Sequence, residues 1–441
     1  MEDKPACWQL KQAVQEQAIT LLYWLKWTVL AVTTGIVVGG GVAVFLTVLA
    51  WAIKEWAEVG GYYFFLPVIL ALNCWLVSLF AVQTTGGCDK VIEGIHQQSG
   101  YLRLTELPLK MLATIITIAA GGSAGKEGPA AQIGAILASA WARLLKVSNA
   151  DCRKLVICGL SAGFACVFGT PVAGAIFGIE VLFVGKIAHD TLYPGLVSGM
   201  TGLYVCRLLG LHYFYLPTTV AASFYLGIQS LLLGLVCGLL AIFFIHTINF
   251  GKNVFSGVPL AQPAKAFIGG MMLVMIGYFV SPLYLGLGLQ LLEKGISGQT
   301  LAVSAFFWKT IATGITLGCG GSGGIILPIM IVGTAAGNLF GQLCGSIDIT
   351  VYAILGMVAL LAAVVNVPVT AIVMAAELFG SDIMTYAAVS CSVSYLLSGH
   401  RSVYPSQVII AGKISCLCYD EGKTVYEARR PDDIEKARAR R

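Results

Sequence analysis

Charge is what this sequence has least of. Only 11% of its 441 residues are Asp, Glu, Lys or Arg and 57% are hydrophobic, against roughly 25% charged in an average soluble domain. A soluble globular protein of this length is excluded. Histidine is also scarce: His96, His189, His212, His246 and His400 stand far apart. With no H-E-x-x-H and no G-x-S-x-G segment either, the local signatures of a zinc hydrolase or a serine hydrolase are missing, and a membrane-embedded enzyme has nothing to stand on. The 13 cysteines are scattered, most of them in apolar stretches (Cys74, Cys158, Cys166, Cys237, Cys319, Cys391), where Cys packs as a small hydrophobe rather than in a disulfide or zinc spacing. Cys416 and Cys418 form a C-x-C pair with no second pair or histidine beside it, so no metal and no cofactor is implied.

What is there instead is long apolar sequence. Trp27–Ile53, Val59–Cys88, Leu208–Gly251, Thr310–Ile347 and Ile349–Ala376 contain no Asp, Glu, Lys or Arg, and each exceeds the roughly 20 residues that span a hydrocarbon core. The chain is therefore expected to be an all-α polytopic membrane protein in contact with lipid. The first run is too long for the core of a cleaved signal, so it reads as a retained span. The net charge of +5 sits largely at the ends, on Lys4, Lys11 and Lys26 and again between Lys413 and Arg441. The positive-inside rule then puts both termini in the cytoplasm. Asp432, Asp433 and Glu435 interleave with the basic tail, so a nucleic-acid partner is not called for.

Glycine, 52 residues in all, concentrates inside the apolar body at Gly121–Gly128 and Gly318–Gly324, and each run ends in a proline, Pro129 or Pro328. Pro suits the first turn of a helix, where no intrahelical partner is lost. Downstream of each run lies a second matched element in which Pro171 precedes Glu180, and Pro368 precedes Glu377, by nine residues. The two prolines of the first half recur about 200 residues later at nearly one offset, which predicts an internal repeat of the kind that builds a midplane site between inverted halves.

The glycine loops narrow the substrate. Unpaired N–H groups and the positive end of a helix dipole make an anion site without a full positive charge. Such a site offsets desolvation and still releases the ion. Glu127 lies inside the first loop, deep in apolar sequence, where an ionisable residue is a functional candidate. A carboxylate tethered beside N–H donors can occupy the pocket of a free anion when ionised and must leave when protonated or outcompeted. The bland alternative is an ion pair with Lys126, which otherwise would raise the local anion concentration beside the pathway.

Gly125-Lys126-Glu127-Gly128-Pro129 resembles the G-[RK]-E-G-P signature of the CLC family of chloride channels and chloride/proton exchangers, and Gly324-Ile325-Ile326-Leu327-Pro328 resembles its G-x-F-x-P. The likeness runs from about residue 25 to about 410. It implies a homodimer with one pore per subunit and two inverted-topology helical repeats with half-spanning helices, eighteen helices in the whole fold. On this reading residues 1–24 are a cytoplasmic segment, 25–210 the first repeat, 211–402 the second, and 403–441 a last pore-facing helix with a short basic tail. The resemblance assigns gating and proton transfer to Glu127, backbone donors to the loop around Gly125 and Gly128 and to Ile325 and Ile326, and a hydroxyl contact to Tyr404. The 37 residues after Tyr404 are too few for the regulatory domain pair of many eukaryotic members, and the short form is similar to prokaryotic ones, which implies a plasma-membrane location.

Three departures bear on function. The family's G-S-G-I-P appears only as Thr85-Gly86-Gly87-Cys88-Asp89-Lys90, so Gly86 or Gly87 stands where a serine would offer its hydroxyl. Ile326 replaces the phenylalanine of G-x-F-x-P, which a backbone role tolerates. Where exchangers commonly carry an internal proton glutamate after the first acid, Glu180 is followed by Val181. The expected activity is transport of small inorganic anions, chloride first, leaning to passive or weakly coupled conduction. The alternatives are a chloride/proton exchanger, with protons as a second substrate, and a fluoride-transporting member.

Overall fold

The computed structural model describes residues 6–80, 86–213, 215–221, 223–346, 348–413 and 421–429, with side chains from residue 14 onward. Thr85 and the Cys416/Cys418 pair lie outside the described residues. Sixteen α-helices are found among them. The first eight are α1 (Ala6–Ala57), α2 (Leu66–Leu79), α3 (Cys88–Gln97), α4 (Glu106–Ala119), α5 (Glu127–Leu144), α6 (Asn149–Phe168), α7 (Pro171–Glu180) and α8 (Leu192–Leu208). The second eight are α9 (Phe224–Gly257), α10 (Gln262–Phe279), α11 (Leu289–Ile296), α12 (Ala305–Gly318), α13 (Ile326–Leu343), α14 (Ile349–Val365), α15 (Pro368–Phe379) and α16 (Met384–Leu397).

The second set repeats the first in order and packing, although α1, at 52 residues, is longer than its counterpart α9, at 34. In one half α5 lies on α6, α6 on α8 and α8 on α1; in the other α13 lies on α14, α14 on α16 and α16 on α9. The halves meet where α2 packs on α10 and α7 on α15. Local sequence explains the matched breaks. α6 ends at Gly169 and α14 at Asn366, both in the left-handed region with φ of 76° and 63°, which glycine and asparagine tolerate best. Each is followed by a residue and then the proline that opens the next helix. Small residues let the paired helices touch at backbone distance: a Cβ on Gly134 would collide with the Gly159 carbonyl, and one on Gly333 would collide with the Gly356 carbonyl.

Helix lengths are uneven because only some helices cross the whole bilayer. Four stretches among the described residues are long and apolar enough to span by themselves: Val14–Ala57, Tyr62–Leu79, Phe224–Gly257 and Ile326–Leu343. At 1.5 Å per residue the ten residues of α7 and the twelve of α15 reach only about 15–18 Å, half a hydrocarbon core. α14 is buried at every position from Val351 to Val365, whereas α1, α2, α9 and α10 carry exposed Trp51, Leu72, Leu239 and Met275. The fold thus has a protein-buried centre and an apolar, lipid-facing rim. It is the all-α membrane architecture with two inverted repeats that the sequence predicts.

The two ends of the chain differ in structure. Residues 6–24 form the opening turns of α1, one helix of 52 residues that continues into the first apolar run. No α-helix follows Tyr404 among the described residues. Pro405 removes a backbone donor there, and the chain instead adds β2 (Val408–Ile409) in parallel to β1 (Phe183–Val184), just beyond α7. The N–H groups of Val408 and Ile410 bond to the carbonyls of Leu182 and Val184, which holds Tyr404 against the repeat without a helix.

Candidate functional site

The two glycine loops brace each other across the pseudo-two-fold relation of the repeats. Gly125 N–H bonds to the Gly324 carbonyl at 2.7 Å and Gly324 N–H to the Gly125 carbonyl at 2.6 Å. Behind this pair Ser123 N–H reaches Thr316 Oγ1 at 3.0 Å and Ser322 N–H reaches Thr117 Oγ1 at 3.1 Å. The serine hydroxyls cross as well, Ser123 to Thr313 and Ser322 to Thr114, both at 3.0 Å. Gly128 lies so close to Gly324 that a Cβ on it would stand 3.0 Å from the Gly324 Cα. The consequence is that the N-termini of α5 and α13 are pressed together, and their unpaired N–H groups and positive dipole ends converge.

Glu127 is the first residue of α5 and 1% exposed. Its side chain folds back over its own loop, against the backbone N–H groups of Lys126, Glu127 and, from the other repeat, Leu327. Oε2 has no hydrogen-bond partner and sits where a Cβ on Gly125 would collide with it. Ion pairs join Lys26 to Asp151 and Lys154 to Asp190, and no Lys126–Glu127 pair is found among the described residues.

Two cavities flank this carboxylate, which lines neither. One of about 350 Å³ brings together Gly86, Gly87, Gly128, Ile325 and Tyr404, residues from four separated parts of the chain. The other, of about 620 Å³, is lined by Lys126 with Tyr62, Gly286 and Gly288. Gly125 and Ile326 are buried at the waist between them. Gly86 and Gly87 turn the chain with φ of 110° and 49° into α3, and this leaves the first N–H groups of that helix without intrahelical partners. Tyr404 is buried with its hydroxyl beside the Cys88 thiol. Its backbone is fixed by Ser402 Oγ, and Ser406 N–H bonds to Asp89 Oδ1 at 3.0 Å.

The sequence reading missed Asp89, Lys252, Gln262 and Lys265, which line the same cavity. Only Asp89, directly after the Gly-Gly-Cys turn, carried a local signal. Glu180 and Val181 lie away from the cavities. The Glu180 carboxylate caps the N-terminus of α15 through the N–H groups of Val369 (2.9 Å) and Thr370 (2.8 Å), and Glu377 caps α7 through those of Val172 (3.0 Å) and Ala173 (2.8 Å). Val181 is sealed in the apolar core, and its carbonyl accepts the Gln407 amide at 2.8 Å.

Residues 68–399 match the family model described as voltage gated chloride channel. The chain is 30% identical over 402 residues to a chloride/fluoride channel protein of Pseudomonas syringae pv. tomato, an alignment that covers 89% of this chain and 88% of that one. Among solved structures it resembles a CLC-type fluoride/proton antiporter, with a TM-score of 0.82 and 26% identity over 88% of this chain and 98% of that one. It also shares the fold of a slow cyanobacterial chloride/proton antiporter, with a TM-score of 0.76 and 22% identity over 94% and 98% of the two chains.

Proposed function

The chain belongs to the voltage gated chloride channel family, a family of anion transporters, and we propose that it moves chloride or fluoride between the two cavities past Glu127, which acts as a tethered competitor for the anion. The observation that carries this reading is the position of the Glu127 carboxylate, held at the joined N-termini of α5 and α13 with one cavity on either side. Partial charges of the backbone N–H groups offset the desolvation of an ion there without trapping it. An incoming anion, or a proton on the carboxylate, displaces the side chain and opens the path. Gly86, Gly87, Ile325 and Tyr404 receive the ion on one side, and Lys126 concentrates anions on the other.

Conduction in this proposal is passive or weakly coupled to protons, since Val181 stands in apolar core where a titratable side chain would be needed. Exchange of the anion for a proton is the second reading. It is favoured by the similarity to a fluoride/proton antiporter, and the likeness to a chloride/fluoride channel protein favours fluoride as a substrate. In this reading the subunit carries its own pore within a homodimer. Lys26, in the first half of α1, pairs with Asp151 at the start of α6, and Arg153 of α6 reaches His96, which bonds to the Leu182 carbonyl that also holds Val408 of the tail. This supports placing both termini on one face, the cytoplasmic side of a prokaryotic plasma membrane in this reading.

Fluxes from proteoliposomes under separate chloride, fluoride and proton gradients test the proposal. Anion flux that follows its own gradient and ignores the proton gradient is the expected result. Proton movement at a fixed ratio to anion movement would replace conduction by exchange, and absence of flux for both halides would sink the transport reading.

A further inference from the structure

The cavity on the Tyr404 side has a wall that the gating mechanism does not use. Its floor is the pair of glycine loops, but one side is the corner between α9 and α10, which contributes Lys252, Ser256, Gln262 and Lys265. The spacing explains how four polar side chains reach one space. Lys252 and Ser256 are i, i+4 on the last turns of α9, and Gln262 and Lys265 are i, i+3 on the first turn of α10. The cations have little to neutralise them. Asp89 is the acidic residue lining the cavity, where it is close enough to interact with Lys252, and one of its oxygens is taken by Ser406 N–H. Neither Lys252 nor Lys265 belongs to an ion pair among the described residues. The corner is also tied to the pore. Gln262 donates its amide to the Cys319 carbonyl at 3.3 Å, and a Cβ on Gly320 would stand 2.5 Å from that nitrogen, so the corner leans on the second glycine loop.

We propose that Lys252, Gln262 and Lys265 form an anion-recruiting site that takes a small monovalent inorganic anion, still partly hydrated, and delivers it to the waist from the Tyr404 side. The site rests on the reading of the protein as an anion transporter. Two full positive charges suit recruitment where they would not suit the waist, because an ion met in a wide, wet cavity keeps water around it and leaves readily. The Ser256 hydroxyl is donated to the Asn253 carbonyl at 2.9 Å, whereas the Gln262 amide keeps one N–H beyond its contact with Cys319 and supplies the neutral donor that replaces part of the hydration shell. A cationic cavity raises the local anion concentration and the entry rate, and this advantage disappears when salt shortens the Debye length from about 30 Å at 0.01 M to about 3 Å at 1 M.

The test is the double variant Lys252→Gln with Lys265→Gln, reconstituted beside the wild type and the Lys252→Arg, Lys265→Arg pair. Anion flux is read at fixed substrate concentration, with ionic strength set by an impermeant salt. The glutamine pair should lose about tenfold of its flux at low ionic strength and match the wild type at high ionic strength, with the arginine pair restoring the wild-type profile. Anomalous scattering from bromide in crystals should show density at the α9–α10 corner in the wild type and none in the glutamine pair, while density at the waist persists. Equal loss at both ionic strengths with the arginine pair failing alike, unchanged flux at low salt, or corner density that survives the substitutions would each overturn the proposal. If the wild type carries no anion at all, the transport reading fails, and the bromide comparison still decides whether the corner binds one.

Discussion

Glu180 holds Thr370 by both its N–H, at 2.8 Å, and its hydroxyl, at 2.6 Å, so the last residue of α7 caps the first turn of α15. Glu377 returns the contact to α7. The two half-spanning helices are thus pinned head to tail by carboxylates at each other's positive ends. Loss of this cap by Glu180→Ala should cost roughly 3 kcal/mol, since hydrogen bonds to a charged group contribute about 1.5–3 kcal/mol each and are not additive. Thermal unfolding in detergent would measure it. Glu180→Gln, which keeps one acceptor, should lose less and retain anion flux. Abolished flux in a folded Glu180→Gln protein would make Glu180 a transport residue.

Glu127→Gln removes the charge that competes with the anion and leaves the shape of the side chain. Anion flux should be intact or raised, and most of its pH dependence should vanish. The measurement is halide efflux at several pH values. A folded but inactive variant would contradict the gating role.

Gly324 has backbone on two sides: a Cβ on it would stand 2.7 Å from the Gly128 nitrogen and 3.1 Å from the Gly125 carbonyl. A methyl group there must push the α5 and α13 termini apart. Gly324→Ala should therefore lower halide flux at least about tenfold, a change of about 1.4 kcal/mol in the barrier, in a protein that still elutes as wild type by size exclusion. Unimpaired flux would show that the loop contact is dispensable.

Tyr404 lines the same cavity as Gly86 and Gly87, and in the proposed mechanism its hydroxyl is the side-chain contact to the ion. Tyr404→Phe should weaken bromide occupancy next to Ile325 modestly and Tyr404→Ala more strongly, as read by calorimetry or anomalous scattering. Equal occupancy in all three proteins would assign the site to backbone N–H groups alone.

The proposed passive or weakly coupled conduction turns on Val181. With the voltage clamped by a potassium ionophore, a chloride gradient across proteoliposomes should drive little uphill proton movement, because the valine lies in apolar core. Protons pumped at a fixed stoichiometry would favour exchange. Glu127→Gln should then stop proton movement and spare the anion, and Val181→Glu should change the coupling little.

The sequence by itself determined the membrane class and the repeat. Charge-free runs longer than a bilayer, glycine loops ending in Pro129 and Pro328, and the nine-residue step from Pro171 to Glu180 and from Pro368 to Glu377 are local signals, set by backbone preferences and hydropathy within a few residues. Those signals singled out Glu127, found at a helix start, and Gly86, Gly87, Gly128, Ile325 and Tyr404, found around one cavity. Only the tertiary structure decided what each side chain meets across nearly 200 residues of chain. Glu180 found the N-terminus of α15, Gly125 found Gly324, and Lys252 and Lys265 turned into the Tyr404 cavity from a helix corner with no motif of its own. Tyr404 is held by a strand pairing rather than by the helix expected after it, since the partner strand at Phe183–Val184 lies 225 residues away in sequence. Hydropathy and turn chemistry are properties of neighbours along the chain, whereas a pore is made by residues that become neighbours only when the two repeats pack.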